Sequence, residues 1–104
     1  MSRGPDSGTL LGRALVAAAA AAGCPVMLAS SDWSRWQSAT FTGARHMLTL
    51  EASPSFQLDT WLAALPDAEF RLRGHLVADI AVAQIERAGG RVVLCLEALT
   101  IEDR

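Results

Sequence analysis

A chain of 104 residues with 51% hydrophobic content is one domain's worth of polypeptide, able to bury a core without metal or disulfide staples, and this excludes a disordered chain. A formal charge of −2 lacks the basic footprint that duplex nucleic acid requires, so no nucleic-acid partner is expected. The absence of Lys, Tyr and Asn removes Schiff-base chemistry, a phosphate-loop lysine and tyrosine acid–base roles, and the Ala- and Arg-rich composition is that of a GC-rich, bacterial coding bias.

Residues 1–8 are small and polar and are expected to be loose, leaving 9–104 as the single domain. From Thr9 to Ala22 the run is strongly helix-forming, with Asp6, Ser7 or Thr9 as N-cap and Gly23 and Pro25 as stop signals. The same run supports a competing reading. Arg3 and Arg13 precede the apolar stretch Ala14 to Ala22 and Ala21-Ala22-Gly23-Cys24, which imitates a lipoprotein signal cleaved before a lipidated Cys24. Asp6 and Pro5 in the basic region and the weak hydrophobicity of Ala favour the other alternative, an ordered helix of a cytoplasmic protein. The stretch falls short of the ~20 apolar residues that a bilayer demands, so no transmembrane segment is expected.

Pro25 to Ala29 has strand length, and Ser30 to Ser38 reads as a polar connection carrying Trp33 and Trp36. A second strand runs from about Ser38 to Glu51, with Ala44, His46, Leu48 and Leu50 on one face and Gly43 as the place for a bulge. Ser53-Pro54-Ser55 signals a helix start, and Leu58, Trp61, Leu62 and Leu65 form its amphipathic stripe, ended by Pro66. Glu69 to Asp103 then reads as one long β-hairpin. Its incoming strand alternates Phe70, Leu72, Gly74, Leu76, Ala78, Ile80 and Val82 against polar partners, Gly89-Gly90 supplies the turn, and Arg91 to Ile101 returns.

The order helix, strand, strand, helix, strand, strand predicts an α+β fold, a two-layer αββαββ sandwich with two helices on one face of a four-stranded sheet. The same order is a circular permutation of the ferredoxin-like βαββαβ plait, with spatial strand order 3-4-2-1.

A two-residue turn at Gly89-Gly90 sets Arg91 opposite Ala88, Ile80 opposite Leu99 and Ala78 opposite Ile101. The opposite face then carries Ile85, Leu94 and Leu96, which two helices on one side cannot cover, and this points to a homodimer through the C-terminal hairpin. A bulge near Glu97 that turns these residues inward is the alternative.

No catalytic set is recognisable, so a non-enzymatic oligomeric or partner-binding domain is the leading expectation, and a small anionic or aromatic ligand-binding domain is the second. For the ligand, Trp33 and Trp36 offer stacking surfaces, while Arg45, Arg73 and His75 offer charge beside Arg71 and Asp79. His46, among Ala44, Leu48 and Leu50, is expected to be a buried, hydrogen-bonded histidine rather than a general base. Cys24 and Cys95 have no neighbouring Cys or His at metal-ligand spacing, and no metal or cofactor is expected.

Overall fold

The computed structural model describes residues 6–103. Helix α1 (Ser7–Ala21) opens where the Asp6 carboxylate accepts the Thr9 N–H at 2.8 Å and takes one of the orphan donors of the first turn. It closes in a Schellman arrangement, Gly23 N–H to the Ala20 carbonyl and Cys24 N–H to the Ala19 carbonyl, for which Gly23 adopts φ +83°. Of the eight residues expected to be loose, 1–5 lie outside the described residues, and Asp6, Ser7 and Gly8 cap and begin this helix. Helix α2 (Phe56–Ala64) is capped by Ser55, whose hydroxyl accepts the Leu58 N–H, two residues later than Ser53-Pro54 suggests, and it runs into a 3-10 turn, Leu65–Asp67.

Five antiparallel strands form one curled sheet in the order β1-β2-β5-β4-β3: β1 (Val26–Gln37), β2 (Thr42–Ala52), β3 (Arg71–Leu72), β4 (His75–Ala88) and β5 (Arg91–Glu102). The α+β class stands, but the sheet has five strands rather than four. The strand predicted from Phe70 to Val82 is cut by a tight turn at Arg73-Gly74, where Gly74 takes φ +79° and Leu72 pairs with His75. A second correction concerns β1. Its polar half, Ser30 to Gln37, is strand and not loop, because β2 supplies a hydrogen-bonding partner along its whole length and an edge strand tolerates polar side chains.

One face of the sheet carries the core. Val92, Leu94 and Leu96 of β5, Leu48 and Leu50 of β2 and Ile80 of β4 join Leu11, Leu15 and Ala19 of α1 and Leu58 and Leu62 of α2 in a single apolar cluster, so both helices cover the same side. Ladder residues directly opposite share a face, which makes register decisive.

Three residues fall outside the ladders, Ala29 in β1 and Ala78 and Ala83 in β4, and each bulge reverses the alternation of its strand. Ile80 therefore faces Ala98, not Leu99, and Leu76 rather than Ala78 faces Ile101. The consequence overturns the predicted hairpin interface: Leu94 and Leu96 are fully buried beneath the helices, and Ile85, 41% exposed, lies on that same side. The bulges sit in β4 rather than near Glu97, and the one foreseen at Gly43 is absent, since Gly43 pairs regularly with both Trp36 and Ile101.

Candidate functional site

Along one side of α1 positions 8, 12, 16 and 20 recur every fourth residue, and three of them, Gly8, Gly12 and Ala20, are small. This brings α1 close to the edge strand; a Cβ on Gly12 would lie 3.1 Å from Leu28 Cδ2. What the missing side chains leave is a groove of about 600 Å³ between α1 and β1, walled by Val16 and Ala17 on the helix and by Leu28, Ser31 and Trp33 on the strand, with Arg13 at its margin. Its size falls in the range of small-molecule sites, and its walls are mostly apolar.

The groove ends against the first turn of α1. There Asp6, Gly8 and Trp33 meet above His46, which sits opposite Trp33 in the β1–β2 ladder and is 1% exposed. His46 Nε2 lies 2.9 Å from Thr100 Oγ1, and that hydroxyl in turn reaches the Ala44 carbonyl at a long 3.5 Å. Either tautomer serves this bond: Nε2–H donates to Oγ1, or the threonine hydroxyl donates to Nε2 and Nδ1 carries the hydrogen. Nδ1 is fully buried and has no hydrogen-bond partner among the described residues, an uncommon state for a buried polar atom. Burial holds the His46 imidazole below its ordinary value; Asp6 works against this shift and His75 adds to it. The Thr9 N–H, first among several influences, holds the Asp6 carboxyl below the usual carboxylate range. At neutral pH the groove end therefore holds a neutral imidazole and a carboxylate.

Asp6, His46 and Thr100 have the chemical types of a catalytic relay, but they do not have its accessibility. Thr100 has no exposed surface, so the chain of bonds is structural. A smaller cavity of about 150 Å³ lies beyond Trp33, lined by Arg35, His75, Glu102 and Ser7. Among the described residues no group of three or more His, Cys, Asp or Glu is placed to hold a metal ion.

The residues singled out from sequence do not converge. Trp33 and His75 share the smaller cavity on the helix-covered face. Trp36 and Arg45 lie on the opposite face, because positions three apart on a strand point opposite ways, and Arg73 sits in the turn before β4. Arg71, opposite Leu76, and Asp79, opposite Leu99, also face away from His75. The Trp36 indole is stacked against Gly43, where an added Cβ would come within 3.0 Å of Nε1, which marks it as a packing residue. Asp6 and Gly8 were hidden in a segment that reads as loose. The signals available for them were the Asp6-to-Thr9 capping spacing and the small residues at positions 8 and 12.

No helix among the described residues is long and apolar enough to cross a membrane. Cys24 is buried beneath the end of α1, where burial pushes its thiol up, and Cys95 is half-buried on the uncovered face of the sheet. Comparison with protein-family models, with curated proteins and with solved structures finds no match to this chain.

Proposed function

We propose that this chain is a non-catalytic binding domain that takes a small, largely apolar molecule in the groove between α1 and β1. The observation that carries this reading is an apolar groove of ligand size between α1 and β1, walled by Val16, Leu28 and Trp33. Two-dimensional NMR of the protein with a panel of small amphiphiles tests it. Binders should shift Gly8, Gly12, Leu28 and Trp33 together, and Ala17→Phe, on the exposed side of α1, should abolish those shifts while leaving the fold. Shifts scattered elsewhere, or no binder in the panel, would retire the groove.

A second reading is self-association, favoured by the side of the sheet that no helix covers. Leu76, 53% exposed, stands there next to half-buried Ile101 and near Leu99 and Trp36, with Met47 and Met27 further along. A second copy packing on this face is the homodimer of that reading, with no part for Leu94 or Leu96. The ferredoxin-like plait in permuted form belongs to the same tier of proposal. Its support is the order β1-β2-β5-β4 of the four long strands with both helices on one face.

A further inference from the structure

β1 ends the sheet. It is bonded to β2 on one side, and among the described residues no backbone hydrogen bond outside that ladder reaches Val26 to Gln37. Its outer edge therefore presents a row of free N–H and C=O groups, one set at every second residue. Proteins blunt such edges with lysine, proline, bulges or short length. Ser30 to Gln37 follows the bulge at Ala29, contains neither Lys nor Pro, and its two charges, Asp32 and Arg35, cancel. The other side of the sheet is treated differently: β4 bulges at Ala78 and Ala83, β3 pairs with its first residues, and the Leu65–Asp67 turn packs against it.

The open edge and the groove run together. Leu28, Ser31 and Trp33, opposite Leu50, Leu48 and His46, point to the helix side and wall the groove. Leu28 to Trp33 spans about 16 Å of strand, and positions 8 to 20 span about 18 Å of helix, so the groove is long in one direction. Its helix wall, Gly12, Val16, Ala17 and Ala20, offers apolar contact, while the strand beside it offers donors and acceptors at peptide spacing. A hydrocarbon chain leaves those backbone groups bare. An extended peptide meets both walls, its backbone bonded to β1 and every second side chain aimed at α1. Charge adds a direction. Arg13, exposed at the margin, has no ion pair among the described residues and follows Gly12, which meets Leu28; Asp6 lies at the Trp33 end. An antiparallel segment, the more favourable pairing, runs from Trp33 toward Leu28, so an acidic side chain late in it reaches Arg13 and stays clear of Asp6.

We infer that the groove takes an extended peptide segment, added to the outer edge of β1 as an antiparallel strand, with apolar side chains against α1 and an acidic residue toward its C-terminal end. The assignment rests on reading the groove as a ligand site and supplies the chemical class of the ligand.

The test is an NMR titration of the full chain with the blocked peptide acetyl-Val-Thr-Val-Thr-Glu-Thr-amide, in which Val and Glu share one face. Its binding should shift Gly12, Leu28, Ser31 and Trp33. Two further peptides keep every side chain, one N-methylated at the Thr amides and the other at the Val and Glu amides. In an added strand one of these sets faces β1 and the other faces solvent, so one peptide should bind about tenfold more weakly than the parent and the other within about threefold. Arg13→Gln should weaken the parent peptide about threefold and leave its Gln-for-Glu counterpart unchanged. Equal effects of the two methylations, or a parent peptide that does not bind where an amphiphile does, overturn the strand assignment and leave the groove standing as a site. Shifts at Leu28 to Trp33 that appear on raising the protein concentration alone give the edge to a second copy, and overturn it too. If neither peptide nor amphiphile binds, or if Ala17→Phe blocks none of the binding, the groove itself is the wrong site and the assignment falls with it.

Discussion

His46 Nε2 and Thr100 Oγ1 meet at 2.9 Å inside the sheet, joining β2 to β5 by a side-chain hydrogen bond where neither residue has meaningful exposure. Thr100→Val keeps the shape and removes the partner, leaving both imidazole nitrogens unsatisfied. The expected loss is about 2 kcal/mol in a urea melt, and Thr100→Ser should recover most of it. A valine variant as stable as the parent would show that the bond contributes nothing.

The same imidazole makes stability depend on pH. Burial lowers the folded-state value of His46, so the unfolded chain, with an ordinary value near 6.5, binds the proton more tightly. The stability is fully present above that ordinary value and is lost as pH falls from there toward the lowered folded one. Asp6, also lowered in the folded state, holds its stability above its ordinary 3.8 and loses it as pH falls further, through the lowered folded value. The Tm should therefore drop between pH 7.5 and 5, and His46→Gln should flatten that slope.

Gly43 is the glycine whose replacement the backbone forbids by contact. A Cβ there would collide with the Thr100 carbonyl oxygen and stand 3.0 Å from Trp36 Nε1, and a strand carbonyl in the centre of the sheet has nowhere to go. Gly43→Ala is expected to cost about 3 kcal/mol or to prevent folding. Equilibrium unfolding beside Gly8→Ala, which should be at least as stable as the parent, separates the two kinds of glycine.

Self-association divides along the two faces. Leu96→Arg puts a charge into a fully buried position and should give an unfolded chain by circular dichroism, not a folded monomer. Leu76→Arg, on the uncovered face, should leave the fold intact. If the protein sediments as a dimer, this second variant should run as a monomer of 11.0 kDa; a dimer that survives it is not built on that face.

The groove owes its existence to side chains that are absent, which is why little of it shows in the letters. Gly8, Gly12, Ala17 and Ala20 look like ordinary helix composition until Leu28 and Trp33 stand across from them, and that meeting is a contact between α1 and β1. Read as a loop, the segment sets Trp33 beside Trp36, whereas strand geometry sends the two to opposite faces.

Signals that act within a few residues were sufficient in the sequence by itself. Asp6 among the candidate caps, Gly23 as a helix stop, the Gly89-Gly90 turn with Ala88 opposite Arg91, the alternation of β5 and the burial of His46 all follow from spacing, hydrogen-bonding capacity and hydrophobicity. Only the tertiary structure decided which way Leu94, Leu96 and Leu76 point. Their orientation turns on bulges at Ala78 and Ala83, and an alanine carries no local mark of a bulge; strand pairing and helix packing select the register that buries the most apolar surface. The same applies to Ser30 to Gln37, whose polar side chains favour no strand and which become one because β2 offers them a full ladder of hydrogen bonds.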